Sequence, residues 1–229
     1  MSTAVASEVH TGAAAERGDG IQRYNLFERI LHWTVAFTFI ALMLSGLALA
    51  YPRLYWLSGL FGGGQTMRTV HPWIGVVFTA GVLVMLVVWA KPMRRDAEDR
   101  RWMKQLRQYV STGHTDIDTG RWNAGQKFYF WYSIVLAVGL LLTGIPLWFP
   151  SSFGVGVLQW SRFLHNVAFL LMVAGFIIHV LLSALMFRGT MDAMTSGRVS
   201  TAWAAHHHPR WFREQRDRAE RAGDAETAT

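Results

Sequence analysis

Four stretches of this chain, residues 31–51, 72–90, 128–149 and 163–187, contain no Asp, Glu, Lys or Arg. Crossing the hydrocarbon core of a bilayer takes about 20 apolar residues, at about 1.5 Å of helical rise each. Each stretch reaches that length once its flanks are included. Within lipid the backbone must satisfy its own hydrogen bonds, which leaves helices and closed barrels. Period-two alternation is absent, so the expectation is an all-α integral membrane protein, a bundle of four transmembrane helices at about 26–51, 69–90, 126–149 and 161–188. An arm over 1–20 is expected to be disordered. The membrane domain then covers 21–190, and a charged tail covers 191–229.

The formal net charge of +7 would suit nucleic acid, but its distribution points elsewhere. Nine Lys and Arg fall between the second and third stretches, from Lys91 to Lys127, and more lie in the N-terminal arm and after Phe187. Only Arg53 and Arg68 separate the first two stretches, and only Arg162 the last two. Lys and Arg gather on the cytoplasmic side of membranes. Both termini and the long middle segment are therefore expected inside, in a multi-pass membrane protein that binds no nucleic acid. The N-terminus lacks the apolar run of a secretory signal, so the first helix is expected to direct insertion itself. The chain has no cysteine, which excludes disulfides and thiolate ligation of iron–sulfur clusters by this chain.

Local signals mark the elements. Asn25 with Glu28 three residues on is a capping-box pattern for the first helix. Pro72 is expected in the first turn of the second, where a missing N–H is tolerated. In the middle segment Trp102, Leu106 and Tyr109 share a helical face among basic residues, as in an interfacial helix over 98–110. Gly189 is the expected stop of the fourth helix.

Four histidines, His32, His71, His165 and His179, lie in or beside the apolar stretches. Ionisable residues within membranes are rare and usually functional. His165 and His179 are fourteen residues apart, about 21 Å and nearly four turns of helix. They face one side of a helix at two depths. With antiparallel neighbours, His71 is level with His165 and His32 with His179. Two facing imidazoles at each of two depths are the ligand arrangement of six-coordinate haem, and helix bundles build cofactor sites in this way. Zinc would need more ligands converging at one point. Two b-type haems are therefore the expected cofactors. Gly46, Gly75 and Gly175 lie near the same faces and serve either a porphyrin plate or close helix packing. Arg29, Arg68 and Arg162 each precede a histidine by three residues and are propionate candidates, or else snorkelling helix-end cations.

The segments "RILHWTV", "RTVHPWIG", "FLHNVAFL" and "IIHVLLSALMFRGT", with "WNAGQK" and "HHPRW", resemble the cytochrome b (gamma) subunit of membrane-bound formate dehydrogenase, over about residues 23–216. The resemblance implies haem ligation by the same four histidines. It implies an iron–sulfur subunit and a molybdenum or tungsten catalytic subunit as partners, and electron transfer through two b haems to menaquinone or ubiquinone. It implies quinone contacts at Asn123, Gln126 and Lys127 and around His179. Trp122 stands where it would put a tyrosine. Taken by themselves, Asn123, Gln126 and Lys127 equally suit a helix cap with a surface amide and lysine. A higher oligomer of the complex is left open.

Two alternatives accompany this reading: the cytochrome b subunit of a membrane-bound hydrogenase, and a haem-free anchor whose histidines only bond between helices. A transporter would ordinarily carry intramembrane carboxylates, which these stretches lack. No formate-oxidising site is expected in the chain, which is read as an electron-transfer subunit of an oxidoreductase complex.

Overall fold

The computed structural model describes residues 20–227, so the expected arm over 1–20 lies almost wholly outside the described residues. Four long helices dominate: α1 (Leu26–Ala50), α2 (Gly64–Trp89), α5 (Ala124–Trp148) and α6 (Val155–Val180). Each is long and apolar enough to cross a membrane, the last with its continuation to Met186. Between α2 and α5 lie α3 (Ala97–Lys104) and α4 (Leu106–Thr112). After a π turn at Leu181–Met186 come α7 (Asp192–Thr195), β2 (Arg198–Val199), α8 (Thr201–His207) and α9 (Pro209–Thr227), with β1 (Ile21–Gln22) preceding α1. The chain forms two compact units.

The membrane unit comprises residues 30–94 and 128–181. Antiparallel contacts order its helices. Phe39 of α1 meets both Phe78 of α2 and Phe176 of α6. Trp73 of α2 meets Trp148 of α5, and the Tyr132 hydroxyl of α5 donates to the Leu171 carbonyl of α6. Thus α1 lies between α2 and α6, and α5 contacts both of those. Many large apolar side chains point outward, including Phe37, Val87, Val135 and Leu185, as lipid solvation permits. A 3₁₀ segment over Pro52–Phe61 joins α1 to α2. Its Leu57 packs with Ala48 and Met67. Helix α2 begins five residues before its expected start, and Pro72 lies well inside it. The glycine-rich segment that resembles a loop is helical from Gly64, where a Cβ would overlap the Tyr55 hydroxyl. Helix α6 likewise begins six residues early, at Val155.

The polar unit comprises residues up to Arg29, 95–127 and 182 onward. The capping box at Asn25 is formed: the Glu28 N–H donates to Asn25 Oδ1 at 2.9 Å, and the Asn25 N–H to Glu28 Oε2 at 2.9 Å. Gly189 has φ +83°, the left-handed stop expected of it. The tail is more than a charged extension. β2 pairs antiparallel with β1, Ile21 opposite Val199. Arg23, 3% exposed, places its guanidinium 4.9 Å from both the Trp203 and Trp211 rings. It also donates to the Arg121 carbonyl at 2.7 Å. The expected interfacial helix over 98–110 breaks at Gln105. Trp102 turns inward to 3% exposure and contacts Tyr109 at 4.9 Å. The aromatic face that suggested lipid instead packs within this unit.

Candidate functional site

The membrane unit holds all four intramembrane histidines, at two depths. At one, His71 of α2 places Nδ1 2.7 Å from Ser45 Oγ of α1. The Ser45 hydroxyl donates to the Ala41 carbonyl at 2.8 Å, so its oxygen accepts the Nδ1–H. His165 of α6 repeats the arrangement. Its Nδ1 is 3.0 Å from Thr143 Oγ1, whose hydrogen goes to the Gly139 carbonyl at 2.7 Å. Both rings are thereby held with the proton on Nδ1 and a bare lone pair on Nε2, the tautomer in which imidazole ligates a metal through that atom. The two rings are within electrostatic range of each other. Gly144 faces His165, with space for a Cβ only at 3.5 Å from Cε1.

At the other depth the His32 and His179 rings lie 6.3 Å apart, centroid to centroid. Two imidazole–metal bonds of about 2 Å, added to the distance from each ring centre to its nitrogen, sum to roughly this spacing. Tyr129 stacks on His179 at 4.8 Å with an interplanar angle of 3°, fixing the ring's plane. His32 Nδ1 is buried with no hydrogen-bond partner. Among the described residues no three His, Cys, Asp or Glu converge on a point, so a zinc-type cluster has no place there. The residues fit a planar metal group held from two sides.

The glycines divide. A Cβ at Gly46 would sit 3.5 Å from Phe169 and 3.8 Å from His71, beside the first pair. At Gly175 it would lie 2.6 Å from Tyr132 Cε1, so that glycine serves helix packing. The arginines divide as well. Arg68 and Arg162 are exposed and have no ion-pair partner among the described residues. Arg29 departs from its expected role: its Nε donates to the Met194 carbonyl at 3.2 Å and its Nη2 to that of Thr195. The last turn of α7 offers unpaired carbonyls, and they engage this guanidinium.

Asn123, Gln126 and Lys127 belong to the polar unit. Asn123 and Gln126 form a second capping box, with the Gln126 N–H donating to Asn123 Oδ1 at 2.9 Å and the Asn123 N–H to Gln126 Oε1 at 3.0 Å. Both amide oxygens accept from backbone N–H groups; the Asn123 NH₂, on a residue 5% exposed, gives one hydrogen to the Tyr109 hydroxyl at 3.5 Å and keeps a second N–H for another acceptor. Lys127 departs from the expected quinone contact. It is 6% exposed, and its ammonium donates to Asp96 at 2.9 Å and to Asp99 at 2.9 and 3.1 Å. Its hydrogens serve an ion pair that anchors α3 to the start of α5. The sequence reading missed Ser45, Thr143 and Tyr129; the only signal was a hydroxyl or phenol in an apolar stretch at a histidine's depth.

The model of the family described as prokaryotic cytochrome b561 matches residues 23–197. The chain belongs to that family. It is similar to the Escherichia coli (strain K12) "Formate dehydrogenase, cytochrome b556(fdo) subunit", 37% identical over 212 residues that cover 91% of this chain and 100% of the relative. The nitrate-inducible cytochrome b556(Fdn) formate dehydrogenase subunit of the same organism is 33% identical over 198 residues, covering 85% of this chain and 91% of that one. The formate dehydrogenase cytochrome b556 subunit of Haemophilus influenzae is 32% identical over 200 residues, covering 85% and 83%. Membership implies haem b and electron transfer in the membrane. With its four spans, this cytochrome is a multi-pass protein of the bacterial inner membrane.

Proposed function

We propose that this cytochrome is the dihaem membrane subunit of a formate:quinone oxidoreductase. It receives electrons from an iron–sulfur subunit, itself served by a molybdenum or tungsten catalytic subunit, and delivers them to quinone. The observation that carries the reading is the presence of two histidine pairs at two depths, one with its rings 6.3 Å apart and one with both Nδ1 atoms held by hydroxyls. The names of the relatives, formate dehydrogenase subunits over nearly the whole chain, favour formate over hydrogen as the ultimate donor.

When bound, each haem supplies one-electron redox chemistry. The residues do the rest. His71 with His165, and His32 with His179, are the residues that would hold a haem iron at each depth. Ser45 and Thr143 set the tautomers of their histidines, and Tyr129 orients the His179 ring. Exposed Arg68 and Arg162 are free to pair with propionates. The Lys and Arg of residues 91–127 and of both chain ends favour a cytoplasmic side for those segments; on this reading the His71–His165 depth is outside, next to the iron–sulfur subunit. Asn123 and Gln126 then hold quinone on the cytoplasmic side through the side-chain N–H groups that their capping box leaves uncommitted. Reduction takes its protons from the cytoplasm while electrons arrive from outside, so turnover charges the membrane.

The test is the purified complex. Formate should reduce two spectrally resolvable b haems, and added quinone should reoxidise them. Replacing Asn123 with Ala should impair quinol formation while both haems stay reducible. A single haem per chain, or quinone kinetics unchanged in that variant, would overturn the assignment.

A further inference from the structure

A line of titratable rings in the polar unit leads toward Asn123. The exposed rings of His114 and His206 lie 5.2 Å apart, and His206 and His207 4.8 Å apart. His207 and Tyr109 are 6.2 Å apart, centroid to centroid. Asn123 Nδ2 donates to the Tyr109 hydroxyl at 3.5 Å. Gly113 makes the approach possible. Its φ of +73° turns the chain at the end of α4, and a Cβ there would stand 3.6 Å from His207 and 3.8 Å from His206 Nε2. Phe187 and Trp203 flank His207 at 5.7 and 5.0 Å, and its Nδ1 is buried without a hydrogen-bond partner.

We propose that His206, His207 and Tyr109 form a proton-delivery path from water to a quinone held at Asn123. The inference rests on the quinone-reducing reading above. Reducing one quinone to quinol consumes two electrons, which the donor supplies, and two protons, one for each new O–H bond. For the proton that goes to the carbonyl held at Asn123, the Tyr109 O–H bond breaks as the quinone O–H bond forms; the other carbonyl takes its proton from water. The phenol is reprotonated from the His207 side, and His207 is refilled through His206 from water. All three residues end unchanged. These separations are between ring centres, and where two ring nitrogens do not meet directly a single water bridges them.

The chemistry of each group suits its place. Asn123 donates to the Tyr109 oxygen, so the phenol hydrogen is free to point elsewhere. Burial pushes the Tyr109 phenol up to about 12, against the opposing pull of Arg23 and Asn123, so it stays protonated between turnovers. Burial holds His207 down to about 4, with His206, Arg23 and His114 acting in the same direction and the Gly113 carbonyl opposing. It rests neutral, one nitrogen protonated and one bare, the state that accepts a proton at one atom and releases one from the other.

The experiment uses the whole complex with formate and a short-chain menaquinone analogue, and follows haem reoxidation between pH 6 and 9. Tyr109→Phe and His207→Gln should each slow reoxidation about tenfold at pH 8. The deficit should shrink toward pH 6, where bulk protons are abundant. Free imidazole in the buffer should restore His207→Gln, while the affinity of a quinone-analogue inhibitor stays within about twofold. Variants with the parent pH profile and no response to imidazole overturn the path and leave quinone reduction standing. Loss of inhibitor affinity with an unaltered pH profile also overturns it, since the residues would then only position the site. A parent complex whose haems no quinone reoxidises overturns both readings together.

Discussion

The Nδ1 atom of His71 lies 2.7 Å from the hydroxyl of Ser45 on the neighbouring helix, and that hydroxyl has already given its hydrogen to the Ala41 carbonyl. The oxygen can therefore only accept, and the imidazole can only donate. A serine one helix away thus decides which ring nitrogen is left for iron. Ser45→Ala removes the acceptor without adding bulk. Partners that orient a ligating histidine typically contribute 10–100-fold to metal affinity or activity. Haem retention at the His71 end should fall by about tenfold, read by titrating the detergent-solubilised protein with competing apoprotein. Thr143→Val should do the same through His165, and unchanged retention in both variants would refute the tautomer assignment.

Ligand pairing makes a sharper prediction. His71→Ala should abolish one haem signal and leave the other nearly intact, because His32 and His179 meet each other and not His71. Low-temperature difference spectra, with iron counted per chain, would check it. Loss of both signals on a folded protein would mean that the two pairs do not bind independently.

Lys127 yields a stability prediction. Its ammonium and the Asp99 carboxylate are both nearly buried, and Asp99 makes two contacts to it. Breaking a buried pair from one side leaves an uncompensated charge, at a cost of about 3–5 kcal/mol. Lys127→Met should therefore expose the 95–127 segment to protease. Lys127→Met combined with Asp99→Leu should recover most of the protection. The exposed Arg216–Glu220 pair, 3.5 Å apart, should tolerate Arg216→Ala without measurable change.

The membrane unit was legible because its logic is one-dimensional. Charge-free stretches set the spans, and the spacing of His165 and His179 along one helix set their depths. The cap at Asn25 was legible for a similar reason, since Asn25 and Glu28 are three residues apart. The polar unit was not legible, because its decisive contacts join distant segments. Arg23 meets His208 across 185 residues, and Trp102 is buried against a helix start that local pattern cannot supply. Read locally, Trp102 and Tyr109 among arginines suggest lipid; in three dimensions Tyr109 meets Phe187 and His207 and Trp102 lies against Gly125. The capping box at Asn123 lies between these cases. Its residues were named, but only the structure shows both amide oxygens turned to the backbone.

The same unit should respond to acid. His208, 1% exposed, places Nδ1 2.7 Å from the Gly120 carbonyl and Nε2 3.1 Å from Arg23 Nη2. Arg23 can only donate, so the ring must be neutral, with its proton on Nδ1. Burial, followed by the Arg23 charge, holds His208 well below the ordinary histidine value of 6.5, with the Gly120 carbonyl opposing and His207 adding to the depression. His207 is held down to about 4. A depressed folded pKa means that the unfolded segment binds more protons below about pH 6.5. The stabilisation is therefore complete above that value and is lost as pH falls toward the folded pKa, at up to about tenfold in the opening equilibrium per pH unit for each group. Hydrogen exchange of the 198–211 segment, corrected for intrinsic rates, should be flat from pH 8 to 7 and should steepen below about pH 6. His208→Gln can still donate to Gly120 and accept from Arg23, and should flatten the part of the profile that His208 contributes. Protection that stays constant down to pH 5 would show that the neutral ring does not hold the tail in place.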